Sequence, residues 1–180
     1  MIIISVSGLH GTGKSTIAKK IAESLKIGYY STGQAFRDLA KEMNMTLEEF
    51  TKYVENHPEI DNKLDDKIVD VAKKGNVVVE SQLSGHILES IADFKILLSC
   101  PLETRVKRMS ERDGTSYEKK LKETKMREKS EQQRFKFMYN IDLSVNEKAK
   151  DIYDYILDTK NLTINEVVEN ILIALRNFKK

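Results

Sequence analysis

One cysteine, Cys100, stands in the 180-residue chain, so an intramolecular disulfide is excluded. That suits a reducing compartment, and the expectation is a cytoplasmic protein. Cys100 follows the apolar stretch 94–99 and precedes Pro101. A small residue buried at a strand end fits that position better than a catalytic thiol. Long apolar runs are missing too, and none approaches the ~20 residues of a membrane helix. The opening Met1-Ile2-Ile3-Ile4 has no basic flank and runs straight into a glycine loop, which predicts a strand and not a signal peptide. Neither sign of charge is in excess: 30 Lys+Arg oppose 28 Asp+Glu for a net charge of +2. No global field therefore argues for nucleic acid or an anionic membrane, and any basic site is local. An internal repeat and a Gly/Ser/Pro-rich linker are also absent. The length suits one sizeable core and is short for two. The expectation is one domain over residues 1–180, monomeric, with neither membrane nor nucleic acid as a partner.

What is present is an ordinary globular balance, 40% hydrophobic and 32% charged. The β-branched run 2–7 reads as a buried strand. Ile17, Ala18, Ile21, Ala22 and Leu25 recur at helical spacing, and Gly28 then punctuates a short segment around Tyr30 that adds a strand. Phe36, Leu39, Ala40 and Met43 mark a second amphipathic helix. Thr46-Leu47-Glu48-Glu49 reads as a capping box opening a third, with Leu47, Phe50 and Val54. Pro58 ends it, and a helix through Leu64, Ile68 and Val71 closes near Gly75. Residues 76–80, 94–99 and 155–158 read as further strands. The box Thr115-Ser116-Tyr117-Glu118 opens a long charged helix, read as a flap. Thr163-Ile164-Asn165-Glu166 opens the last helix, whose stripe is Ile164, Val167, Val168, Ile171, Leu172 and Leu175. Strands alternating with helices predict an α/β fold with a mostly parallel sheet covered on both faces.

The segment Gly8-Leu9-His10-Gly11-Thr12-Gly13-Lys14-Ser15 matches G-x-x-x-x-G-K-[ST] without a gap. It follows a strand and opens a helix, the context that gives the pattern meaning. Its glycines let the backbone come close to phosphates, and the exposed N–H groups at a helix start supply a fixed positive field. Lys14 reaches the β- and γ-phosphates, and Ser15 places a hydroxyl on the accompanying Mg²⁺. The nucleotide-binding set is thus Gly8 to Thr16. His10 has no spacing that implies a metal or a base and is expected to be a solvent-facing passenger.

Such a loop serves many reactions. No obvious G-protein base-recognition motif is present, and there is too little chain for a motor, which favours a kinase of a small phosphorylated acceptor. In the stretch Ser31–Arg37, a helix start and an arginine could bind an acceptor phosphate; the competing reading makes Arg37 a surface residue paired with an acidic neighbour. Arg105, Arg108 and Arg112 fall at i, i+3 and i+7. They suit a transferring phosphoryl group, although alternating glutamates also allow a solvated, ion-paired face. Arg127, Glu131 and Arg134 recur at i, i+4 and i+7, which alone would be an exposed ladder.

Together these residues resemble the cytidylate kinase family, most closely its short archaeal branch. The likeness takes in the glycine loop, residues 31–37, 41–50 and 75–80, Pro101-Leu102-Glu103-Thr104-Arg105, and Arg127 to Arg134. It implies transfer of the γ-phosphoryl of ATP to CMP or dCMP with Mg²⁺, so that the partners are small-molecule nucleotides. It implies a three-layer P-loop fold with a five-stranded parallel sheet, an acceptor-binding insert near 34–75 and a lid near 105–135. By position, Lys14, Arg105 and Arg108 look catalytic, the two arginines lying over the phosphates. Ser31, Arg37, Gln82, Arg127, Glu131 and Arg134 look like acceptor contacts, and Ser15 and Glu80 like the metal's neighbours. One departure stands out. Where the family usually reads acid-Gly-Arg after the Val77–Val79 strand, this chain has Glu80-Ser81-Gln82, so a charged fork for the acceptor phosphate is lost or relocated. That keeps a kinase for AMP or UMP, or a nucleotide-dependent ATPase or binding protein without acceptor turnover, as alternatives.

Overall fold

The computed structural model describes residues 1–141 and 149–178. The elements run β1 (Ile3–Gly8), α1 (Lys14–Leu25), β2 (Gly28–Ser31), α2 (Thr32–Glu42), α3 (Leu47–Val54), α4 (Pro58–Lys73), β3 (Val77–Glu80), α5 (Ser84–Ile87), β4 (Phe94–Ser99), α6 (Leu102–Asp113), α7 (Tyr117–Tyr139), α8 (Ala149–Ile152), β5 (Tyr155–Asp158) and α9 (Ile164–Asn177). All four strand pairings are parallel, in the order β2-β3-β1-β4-β5. All five strands read from the sequence are therefore found. With β3 and β4 on either side, β1 is the central strand, and every one of its residues is buried.

Alternation along the strands feeds two cores. Ile4, Val6, Val78, Ile96 and Leu98 pack with Ile17 and Ile21 of α1 and Val167 and Ile171 of α9. Ile3, Val77 and Val79 face the other way, onto Ile68 and Ala72 of α4 and onto Leu88 and Ala92 beyond α5. Each fully buried large aliphatic contributes roughly 1.5–3 kcal/mol. A third cluster, Phe36, Ala40, Phe50, Val54 and Leu64, is confined to α2–α4, with the Phe36 and Phe50 rings edge-on at 4.7 Å. The stripes read from the sequence hold in their centres. Met43 and Ile164, assigned to buried faces, are instead 40% and 45% exposed at the helix ends.

The helix starts differ in a telling way. α2, α3, α7 and α9 are capped by Ser31, Thr46, Ser116 and Thr163, and two of these caps are complete boxes with Glu49 and Glu166. At α7 the cap is Ser116, one residue later than expected from Thr115–Glu118, because the Ser116 hydroxyl accepts from Lys119 N at 3.3 Å. α1 begins at Gly13, which carries no side chain to cap the turn. Its first-turn amides are left for another acceptor.

Candidate active site

The C-terminal ends of β1 and β3 and the start of α1 converge on one surface. Gly11 has φ +81, and an added Cβ would lie 2.7 Å from the Arg105 carbonyl oxygen. Only glycine lets the loop pass there. The turn is held by Thr12 Oγ1, which donates to Leu9 O at 2.9 Å, and by Thr159 Oγ1, which donates to Thr12 O at 3.2 Å.

Two cavities meet over this loop. The larger, about 460 Å³, runs along Gly11–Thr16 towards Arg108, Arg112 and Thr163. The smaller, about 100 Å³, reaches into α2–α4 and is walled by Phe36, Leu64, Asp61, Asp65, Arg134 and Phe135. His10, Lys14, Ser15, Arg37 and Arg127 line both. This shared wall is strongly cationic. Burial pushes the Lys14 ammonium below its ordinary range, while Glu80 and Glu131 pull it back up.

Glu80 ends β3 with its side chain buried. One carboxylate oxygen accepts from Ser15 Oγ at 2.8 Å, from Tyr29 OH at 3.3 Å and from Ser31 Oγ. The other, Oε2, is buried without a partner, as are Thr32 Oγ1 and Arg127 Nε, and all three residues line the smaller cavity. A bare buried carboxylate oxygen beside the loop serine is a donor set that fits a hard divalent cation. Among the described residues no cluster of three or more His, Cys, Asp or Glu could hold a metal alone, so such an ion would need phosphate oxygens as well.

The arginines divide by role. Arg105 lines neither cavity. It is buried behind the loop, its guanidinium donating to Cys100 O and His10 O at 3.0 and 2.8 Å and pairing with Glu128 of α7. The expectation that it lies over the phosphates is thus not met in this conformation: its donors are consumed in bracing the loop. Arg108 lines the larger cavity but donates to Thr159 Oγ1 and O at 3.0 and 2.6 Å. Arg112 is solvated and pairs with Asp113, so the three arginines do not act as one face. Arg37 is not paired with Asp38. Gln34 takes Asp38 with its amide nitrogen and accepts from Arg37 with its oxygen, at 2.8 and 3.0 Å. Cys100 is half-buried beside Arg108, 3.5 Å from its Nη1.

Arg127, Glu131 and Arg134 are no exposed ladder. Glu131 accepts from Gln82 Nε2 at 2.7 Å, lies 2.7 Å from His10 Nε2, and is 3.6 Å from Arg127. Burial alone would raise its carboxyl, but His10, Arg127 and the Gln82 bond outweigh that and hold it at about 2. His10 is thereby corrected: its ring is 17% exposed and hydrogen-bonded rather than solvent-facing. Burial depresses its pKa against the pull of Glu131. Arg134 donates to Asp61 at 2.8 Å and to Ser130 Oγ at 3.0 Å.

Sequence reasoning misses Asp61, Asp65 and Tyr139. Burial raises Asp61 despite Arg134, and it raises Asp65 to about 6, with Asp61 and Asp66 adding to the effect, although Tyr139 OH donates to it. A signal exists: Asp61 sits three residues before Leu64 and seven before Ile68, on the apolar stripe of α4, where an acid is out of place unless paired.

A central phosphate loop opening an uncapped helix, a buried acid on the neighbouring strand and a second cavity behind a cationic wall define a P-loop kinase. The fold agrees with solved small-molecule kinases. Shikimate kinase from Acinetobacter baumannii superposes with a TM-score of 0.63 at 16% identity, covering 100% of this chain and 96% of that one. A gluconokinase from Sinorhizobium meliloti gives 0.58 at 14%, covering 98% and 92%. At such identities the likeness is one of fold. Residues 3–161 match the cytidylate kinase-like family, and the chain belongs to it. It is 41% identical over 182 residues to the cytidylate kinase of Methanocaldococcus jannaschii, spanning 99% of this chain and 100% of that protein. It is 42% identical over 158 residues to that of Thermococcus kodakarensis, spanning 88% and 79%. The chain is thus a kinase that uses a nucleotide. No described helix is long and apolar enough to cross a membrane.

Proposed function

We propose that the protein transfers the γ-phosphoryl group of ATP to CMP or dCMP, giving ADP and CDP or dCDP, with Mg²⁺. The observation that carries this reading is the cationic wall of Lys14, Arg37 and Arg127 common to both cavities. A phosphoryl group passing between two nucleotides must cross such a wall. The larger cavity takes ATP: the free amides of α1 and of the loop hold the β- and γ-phosphates, with Lys14 as a point charge. The smaller takes the acceptor, whose phosphate lies against Arg37 and Arg127 while its sugar and base extend between Phe36, Leu64 and Phe135.

An acceptor phosphate oxygen then attacks the γ-phosphorus as the bond to the ADP oxygen breaks. No covalent enzyme intermediate is needed, because the residues act by alignment and by stabilising equatorial charge. Ser15 and Glu80 would hold Mg²⁺, which when bound neutralises the triphosphate and fixes its orientation. Arg105 keeps the loop in shape rather than touching phosphate. Closure of α7 over the bound acceptor would exclude water from the transfer. In this reading residues 34–75 are the acceptor-binding insert and 105–135 the lid of a single kinase domain.

A panel of CMP, dCMP, UMP, AMP and shikimate in an assay coupled to ADP release tests it. Turnover with CMP or dCMP well above the rest is expected. Preference for another acceptor, or ATP hydrolysis indifferent to any of them, would overturn the assignment.

A further inference from the structure

The phosphate loop and α7 meet at one residue. The His10 ring reaches Glu131 of α7 at 2.7 Å, and Gln82, just beyond β3, contacts the ring at 3.2 Å and Glu131 at 2.7 Å. The His10 carbonyl accepts from Arg105 at 2.8 Å, and that guanidinium is clasped by Glu128. Glu128 and Glu131 are three positions apart, on one face of α7. Both act on His10, one on its main chain through Arg105 and one on its ring. Further along the same helix, Ser130 donates to Glu55 at 2.6 Å, Arg134 to Asp61 at 2.8 Å, and Tyr139 to Asp65. α7 thus holds the donor loop near its middle, the wall of the acceptor cavity at Asp61 and Asp65, and the end of α3 at Glu55. Phosphate binding by such a loop uses backbone N–H groups and the lysine, and nothing in it requires a ring at position 10.

We infer that His10 is a positioning residue that couples the two substrate sites. A triphosphate on the loop fixes the His10 ring and, through Glu131, the seating of α7 on the acceptor cavity. The proposal rests on the function above only for the identity of the acceptor. Phosphates gripping the loop amides restrict the backbone that carries the ring. The ring then offers its N–H to Glu131 in one direction, beside Arg127, Lys14 and the Gln82 amide. Glu131 in turn fixes the helix that bears Arg127 and Arg134. Such coupling is reciprocal, and its expected size is on the order of tenfold in the affinity of either substrate. Glutamine at position 10 can supply an equivalent N–H, whereas alanine cannot.

The test compares wild type, His10→Ala and His10→Gln in two measurements, with melting temperatures to verify folding. The first is amide hydrogen exchange across residues 127–135 with and without a non-hydrolysable ATP analogue and Mg²⁺, with no acceptor present. The analogue should slow exchange there in wild type and His10→Gln but not in His10→Ala. The second is the Kd of CMP with and without the analogue. The analogue, at a concentration that saturates each variant, should tighten it about tenfold in wild type, largely so in His10→Gln, and hardly at all in His10→Ala. An α7 response or a CMP gain in His10→Ala equal to wild type would overturn the proposal. So would loss of analogue binding itself in both variants, which would make His10 only a part of the donor site. If α7 responds through His10 but CMP does not bind, the coupling stands and the CMP assignment falls. If CMP turns over while α7 is indifferent to the analogue, the assignment stands and the coupling falls.

Discussion

Glu80 illustrates how much a single carboxylate can organise: one oxygen collects three hydroxyl donors and the other is left bare beside the loop. Lys14 is its cationic counterpart on the shared wall. Lys14→Ala should lower kcat by about 10²–10³-fold, the cost of removing one preorganised charge from the transition state. Its melting temperature should stay near wild type, which a thermal scan beside the ADP-release assay checks. Asp65 allows a pH prediction. Its folded pKa of about 6 lies above the ordinary value of 3.8, so protonation favours the folded state. That stabilisation is complete below about pH 3.8 and is lost as pH rises through 6. Asp65→Asn, which can still accept from Tyr139, should gain stability relative to wild type between about pH 4 and 6.5 and then hold a constant advantage, read by thermal melts across that range. The loop is legible in the sequence because its residues are contiguous and their flanks confirm them. The meeting of Glu131, His10 and Gln82 is not, because it spans as many as 121 positions of sequence. Periodicity along one helix face names neighbours on that helix but says nothing of what lies opposite.

Among the elements, the caps of α2, α3 and α9 and the bare glycine before α1 follow from side chains one can read in order, so those helix starts are legible. The start of α7 is not, since Thr115 and Ser116 both offer a hydroxyl and only the backbone path decides between them. The structure makes their consequences opposite. Ser116→Ala removes a working cap and should cost about 1 kcal/mol. Thr115→Val removes a hydroxyl that is buried without a partner and should be neutral or slightly stabilising. Denaturant unfolding of the two variants separates them, and a larger loss for Thr115→Val would return the cap to position 115. The fate of Arg105, Arg108 and Arg112 shows the limit of reading elements alone. Their spacing places them on one helix side, but that helix rests on the loop at Arg105 and on Thr159 at Arg108, so only Arg112 keeps a solvated guanidinium.

At the scale of the whole molecule, the α2–α4 cluster is a small core of its own beside the two cores on the sheet faces. Phe50 is fully buried at its centre. Phe50→Leu should cost about 1–2 kcal/mol through imperfect refilling of the ring's space. It should raise the acceptor KM several-fold while leaving the ATP KM nearly unchanged, and equal effects on both would deny the cluster a separate role. The architecture is readable because alternating strands and helices admit few arrangements; the partition of its core is not, because a stripe does not say which neighbour it faces. The place of β1 has a further consequence. Its first hydrogen-bonded partners are 74 and 90 positions away, Ile3 against Val77 and Ile4 against Phe94. No local hairpin can form first, so the chain must close two long loops before its central strand is satisfied. Refolding should therefore be slow for the protein's size. The nucleotide-binding loop would mature among the last parts, once the two strands that clamp its root have arrived.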